Sequence, residues 1–196
     1  LGKTGIRLMA SVEWSGNDNT NIEVAQGHNS AFVDEDGTAY VVYHTRFSNR
    51  GEEHEVRVRE LLTTSDGWLT ATPYEYVGAK DDAKGYEERK LTGEYELVEH
   101  DPTTFFQGLQ DATKKDSTDY KGVNTPVTIK LEQGGTVSGD KTGTWQVKEG
   151  TNQVEITLDG VTYEGDFALL PRDNDLKSVM TFSAIGANEC IWGSQK

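Results

Sequence analysis

Three histidines and an arginine in the first third of the chain have side chains that can do chemistry. His28 lies in GHNSAF, just ahead of an otherwise apolar stretch, and His44, Arg46 and His54 follow within the next 26 positions. A neutral imidazole can bind a metal ion or move a proton, and it can equally be a hydrogen-bonded part of a strand. From the residues alone, His28 stays open between a core residue, a metal ligand and half of a catalytic pair.

Short motifs argue against several reaction classes. HEVRV at 54–58 begins like a zinc-protease helix, but the second histidine of that motif is replaced by Val58, and the context is a strand. DEDG at 34–37 lacks the alternating oxygen ligands of a calcium-binding helix-loop-helix. We find no Ser, His and Asp set in a strand-turn-helix setting and no nucleotide-type glycine loop. Spacing alone selects no catalytic carboxylate pair, because such partners can be far apart in sequence.

Composition narrows the choice of partners. The chain has 33 acidic and 19 basic residues and a formal net charge of −14, with no cluster of Lys or Arg, which argues against nucleic acid. No stretch approaches the ~18 consecutive apolar residues of a membrane-spanning helix, so we also predict no membrane partner. Cys190 is the single cysteine, and we expect it to be a small buried residue. The start at Leu1 instead of Met favours processing or proteolysis of a longer product.

The elements that must position these residues are β-strands. Short apolar stretches rich in Val, Tyr, Thr and Phe, separated by glycine-containing turns, predict an all-β protein. In the first part we predict strands over 6–14, 31–33, 39–47, 55–64 and 68–72. Asp36-Gly37 predicts a tight hairpin. Alternation in 55–64 places the valines on one face and Arg57 and Arg59 on the other, and we expect the arginine face to be solvated.

A charged, glycine-containing stretch over 78–90 predicts a domain boundary. We place the first domain at 1–80 and the second at 81–196. Strands are predicted in the second domain over 91–98, 127–131, 143–147, 153–158, 161–170, 178–185 and 190–192. Short strands at such spacing predict a small β-barrel or sandwich. The long polar connection over 101–124 leaves room for a short helix around 104–113.

Longer stretches carry a family resemblance. GHNSAF, YVVYHTRF and NRGEEHEVRVRELLTTSDGWLTATPYEYVG resemble the last blade of glycoside hydrolase family 43, specifically of the two-domain endo-1,5-α-L-arabinanases. The stretch from LTGEYELVEH to AIGANECIWGSQK is similar to the C-terminal β-barrel domain of these enzymes. The resemblance implies that 1–80 holds the end of the penultimate blade and the last blade of a five-bladed β-propeller. It also implies a secreted or periplasmic enzyme that hydrolyses α-1,5-linked arabinan with inversion.

The same resemblance assigns roles to residues. The three catalytic carboxylates of the family lie in blades that precede this chain, so no Asp or Glu here is assigned to catalysis. His28, in GHNS, is expected to hold one calcium ion at the propeller centre through one nitrogen, with water completing the shell. Asn29 and Arg46 can line the same funnel and bind substrate, although hydrogen bonding within the blade is an equal alternative. The expected partners are arabinan and an N-terminal propeller chain of the same enzyme.

Two other interpretations stay open. The chain can be a non-catalytic carbohydrate-binding module, in which exposed aromatic side chains at Trp68, Tyr74, Tyr76 or Trp145 stack on sugar rings. It can also be a structural domain in which the barrel stabilises the propeller. Because strand aromatics usually belong to the core, the enzyme interpretation is preferred.

Overall fold

A computed structural model describes residues 5–17, 22–47, 50, 53–78, 81, 83–104 and 122–196. Within these ranges the chain is all-β, as predicted, apart from one short helix. The first five strands form an antiparallel sheet in the order β1-β2-β3-β4-β5. Their bounds are Val12–Glu13 (β1), Ile22–Val33 (β2), Ala39–Phe47 (β3), Glu55–Thr63 (β4) and Leu69–Ala71 (β5). Each strand pairs with its sequence neighbour, because short polar turns join them.

The remaining eight strands close into a barrel, in which β13 pairs with β6 and β9 pairs with β10. A helix, α1 (Glu88–Leu91), precedes the barrel. The strands are Gly93–Glu99 (β6), Val127–Leu131 (β7), Thr136–Gly139 (β8), Gly143–Val147 (β9), Gln153–Leu158 (β10), Val161–Pro171 (β11), Ser178–Gly186 (β12) and Glu189–Gln195 (β13). The predicted choice between barrel and sandwich is therefore resolved as a closed barrel. The helix expected around 104–113 falls almost wholly outside the described residues.

The hairpin between β2 and β3 is confirmed. Across the turn Asp34 N donates a hydrogen bond to Thr38 O at 3.0 Å, and Gly37 N donates to Asp34 O at 3.1 Å. Gly37 takes the positive φ of +91° that the turn requires. β2 begins well before the predicted residue 31, because it continues through two irregular steps in its pairing with β3. Conversely, the strand predicted over 6–14 was wrong in extent. Only Val12–Glu13 is a strand, and Arg7 instead bridges to Glu189 of the barrel.

Two apolar cores hold the molecule together. The first fills the barrel interior with side chains that include Leu97, Ile129 and Phe182. The second lies between sheet and barrel, where Trp14 of the N-terminal segment packs edge-on against Trp192 of β13 at a centroid distance of 6.1 Å. Cys190 belongs to this second core and is buried, as predicted.

The predicted orientation of β4 was wrong. Arg59 is only 1% exposed and Arg57 is also buried, whereas Val56 on the opposite face is 71% exposed. The arginine face packs toward the barrel because its charges are matched there. Arg59 Nη2 lies 3.0 Å from a carboxylate oxygen of the buried Glu23, and its guanidinium carbon lies 4.8 Å from the Trp192 ring centroid. Alternation separates the two faces of a strand, but it does not say which of them is covered.

The expected boundary at residues 80 and 81 falls between the end of β5 and the start of β6, and it stays a prediction. In the part of the chain that the structure describes, no helix has the length and apolarity needed to span a bilayer.

Candidate functional site

Three histidines and one arginine meet on the face of the sheet that is turned away from the barrel. The rings of His28 and His44 have centroids 5.1 Å apart, and those of His44 and His54 are 4.9 Å apart. Arg46 Nε donates a hydrogen bond to His54 Nε2 at 2.9 Å. We call this set, His28, His44, His54 and Arg46, the histidine row.

The hairpin and an irregular stretch of β2 build the row. His44 and Arg46 alternate along β3 and therefore share a face. Gly27 is the register partner of His44, and a Cβ at Gly27 would lie 3.7 Å from His44 Nε2. His28 has a φ of +45°, lies within the second register shift of β2, between Gly27 and Ser30, and has an exposed side chain. A left-handed backbone at a non-glycine residue is uncommon and often marks a functional position.

The surroundings of His44, the central residue of the row, favour its neutral form. Because Arg46 Nε donates to His54 Nε2, that nitrogen must be an unprotonated acceptor. Partial burial, followed by the charges of the other three members of the row, lowers the pKa of His44. The central imidazole is therefore neutral at pH 7.

Two of the three predicted site residues meet in this row. His28 and Arg46 stand at its two ends, connected through His44 and His54. Asn29 is exposed beside His28 on β2. The two intervening histidines were rated below His28 in the sequence, although hairpin pairing and strand alternation were signals that could have brought His44 toward it.

The fit of a calcium ion can be tested against the donor set. Calcium takes roughly six to eight ligands and prefers oxygen. Among the described residues, no group of three or more His, Cys, Asp or Glu side chains is arranged to hold a metal ion. His28 is exposed and has no hydrogen bond to any described residue. At this position the described residues supply one nitrogen donor, that of His28, so a calcium ion here would take its remaining ligands from water or from groups outside this chain.

The four aromatic residues considered for sugar stacking are not equivalent. Tyr74 and Trp145 are buried, and the Tyr74 hydroxyl lies 2.7 Å from Ser194 Oγ, so neither ring is free to stack. Tyr76 packs against Tyr40 at a centroid distance of 4.9 Å. Trp68, in the turn that precedes β5, is 57% exposed. The structure therefore contradicts this interpretation for Tyr74 and Trp145.

Comparisons with known proteins identify a family model and relatives that match this chain. The family model GH43_C, described as a C-terminal lipocalin-like domain, matches residues 73–193. The extracellular endo-α-(1→5)-L-arabinanase 2 of Bacillus subtilis (strain 168) is 39% identical over 194 residues, which is 97% of this chain and 38% of the relative. The extracellular endo-α-(1→5)-L-arabinanase of Thermotoga petrophila is 32% identical over 174 residues, 87% of this chain and 33% of the relative.

Solved structures of glycoside hydrolases are also similar to this chain in fold. The crystal structure of the family 43 glycoside hydrolase YxiA protein from Bacillus licheniformis superposes with a TM-score of 0.79 at 35% identity, over 97% of this chain and 39% of that one. The Thermotoga petrophila arabinanase in complex with TRIS superposes with a TM-score of 0.81 at 26% identity, over 98% of this chain and 40% of that one. The chain thus spans about two fifths of the length of these relatives.

Proposed function

The chain belongs to the GH43_C family of C-terminal lipocalin-like domains of glycoside hydrolase family 43, and from this premise we propose that it is the C-terminal part of a secreted endo-1,5-α-L-arabinanase. The observation that carries the proposal is the extent of the similarity. The Bacillus subtilis arabinanase matches 97% of this chain, so the similarity includes both the sheet and the barrel. Relatives named extracellular support a secreted enzyme.

In this proposal the five-stranded sheet is the last blade of a β-propeller, and an N-terminal chain or segment supplies the other blades. Two features of the sheet support this role. It is a consecutive antiparallel meander, as propeller blades are. Its face away from the barrel carries Val56, 71% exposed, and Phe32, 48% exposed. A further blade would cover this exposed apolar face.

The catalytic carboxylates are assigned to the N-terminal part, and the histidine row is this chain's contribution. His28 would hold a calcium ion through one imidazole nitrogen, and the bound ion would supply positive charge and ordered water near the carboxylates. His44 packs against His28 and stays neutral, so no imidazolium stands next to the ion. Asn29 and Arg46 would donate hydrogen bonds to sugar hydroxyls.

A chimeric enzyme tests whether His28 holds a calcium ion. We would replace the matching region of the Bacillus subtilis arabinanase with this chain and titrate calcium into it by calorimetry. The expected result is one calcium site that His28→Ala removes, together with a fall in arabinan hydrolysis, while Glu94→Ala on the exposed surface of the barrel changes neither. Unchanged calcium binding in His28→Ala would refute the assignment of His28.

A further inference from the structure

A groove runs along the outer wall of the barrel, far in the fold from the histidine row. Strand pairing sets Gln146 of β9 beside Glu155 of β10, and Glu155 beside Glu164 of β11. All three side chains point out of the barrel, because the alternate residues of these strands, such as Trp145 and Ile156, are buried. The result is a continuous row of amide and carboxylate groups across three strands.

Two clefts adjoin at β9: the whole row lines the smaller cleft, and of its three residues only Gln146 also lines the larger one. One has a volume of about 670 Å³ and is lined by Tyr86 and by glycines of the surrounding turns. The other, of about 330 Å³, reaches Ser65 in the turn between β4 and β5. Gln146, Val147 and Lys148 line both clefts, so the clefts adjoin along β9, and we call the two together the groove. Volumes of this size are typical of binding sites for small organic ligands.

Hydrogen bonds hold the polar side chains of the groove in place and still leave acceptor oxygens for a ligand. Gln146 Nε2 donates to Glu155 Oε1 at 2.8 Å, which leaves the amide oxygen of Gln146 and the second oxygen of Glu155 for a ligand. Ser65 Oγ donates to Glu164 Oε2 at 2.9 Å and holds that side chain against the sheet. At the other end, the half-buried Tyr86 ring is positioned by a hydrogen bond from its hydroxyl to Asp81. Paired amide and carboxylate oxygens suit neighbouring hydroxyls, and a tyrosine ring suits the apolar face of a sugar.

The charge of the groove selects among carbohydrates. Among the residues that the structure describes, four carboxylates and one lysine line it, those of Glu88, Glu149, Glu155, Glu164 and Lys148. Such an excess of negative charge repels polyanions, whether acidic polysaccharides or nucleic acids. A neutral polysaccharide, which carries hydroxyl groups and no charge, is not repelled by these carboxylates.

We propose that this groove is a non-catalytic binding site for a neutral polysaccharide chain. The proposal rests on the proposed function only for its choice of arabinan as the polymer. The site would hold the polysaccharide on the barrel while the enzyme acts on it, and its affinity would come from Gln146 and Glu155 at the centre of the groove.

Binding by the 196-residue chain alone tests the proposal, because this measurement needs no hydrolysis. The probe is linear arabinan in affinity electrophoresis and calorimetry, with polygalacturonate as the anionic comparison. We expect arabinan to bind, polygalacturonate not to bind, and the double variant Gln146→Ala/Glu155→Ala to bind arabinan at least tenfold more weakly. Thermal melting would verify that the double variant is folded, as expected for two exposed side chains.

The matched control is Glu94→Ala, an exposed carboxylate on β6, four strands around the barrel from β10. Its arabinan affinity should stay within twofold of the parent. The proposal is overturned if the parent chain does not bind arabinan, if polygalacturonate binds as well as arabinan, or if the double variant binds like Glu94→Ala. Any of these results leaves the hydrolytic activity of the chimera unaffected, so failure here is distinguishable from failure of the proposed function.

Discussion

His100 makes the contact between the N-terminal segment and the barrel sensitive to acid. Its imidazole is fully buried, Ala10 N donates to its Nδ1 at 3.1 Å, and its ring meets Trp192 at a centroid distance of 4.1 Å. Because Nδ1 accepts, the neutral ring carries its proton on Nε2. Burial, reinforced by the positive charges of Arg59 and Arg7, lowers the pKa of His100 to about 3.

The sign of the effect follows from proton uptake on unfolding. An unfolded histidine has a pKa near ~6.5, so between that value and about 3 the unfolded chain binds one proton that the folded chain does not. Stability from His100 is therefore complete above pH 6.5 and falls by about 1.4 kcal/mol for each pH unit below it, or about 2 kcal/mol at pH 5. Asp166 and Asp173 oppose this slope, because burial raises the pKa of each to about 6.

The difference in unfolding free energy between the parent and a variant at His100 isolates the contribution of this histidine. His100→Asn keeps an acceptor close to the position of Nδ1 but cannot be protonated, while both aspartates are retained. Urea denaturation at pH 7 and at pH 5 should show that the stability advantage of the parent over the variant shrinks by about 2 kcal/mol at the lower pH. A constant difference between the two proteins across this range would refute the reasoning.

Two further predictions concern the core between sheet and barrel. Arg59→Met should lower the unfolding free energy by about 3–5 kcal/mol, because it leaves Glu23 buried without its ion pair, and adding Glu23→Gln should restore much of that loss; a single-variant loss below about 1 kcal/mol in urea denaturation would contradict this. Cys190 should react with a thiol reagent only at the rate of unfolding, because burial raises the pKa of the thiol to about 12; rapid labelling of the native protein would show that the thiol is accessible.

Local signals explain which elements could be predicted. The hairpin at Gly37 and the barrel strands Val127–Leu131, Gly143–Val147 and Gln153–Leu158 were predicted correctly, because their alternation and turn residues lie within a few positions of each other. β8 was missed, since Thr136–Gly139 contains only one large apolar residue between glycine-rich turns.

Features that depend on distant partners were not predictable in the same way. The buried position of Arg59 depends on Glu23 in another strand and on Trp192 near the end of the chain. The irregular stretch of β2 that exposes His28 uses positive φ angles at Ala25 and His28, and no glycine marks either position. The sequence therefore singled out all four residues of the row and rated His28 highest, but it did not show that His44 and His54 connect His28 to Arg46.

The most direct test of the central claim is arabinan hydrolysis by two samples: the chain alone, and the chimera that joins the N-terminal part of the Bacillus subtilis relative to this chain. The account predicts that the chain alone releases no arabino-oligosaccharides, because it places the catalytic carboxylates in the N-terminal part, and that the chimera releases them by cleavage of internal bonds. Hydrolysis by the chain alone, or a folded chimera without activity on arabinan, would contradict it.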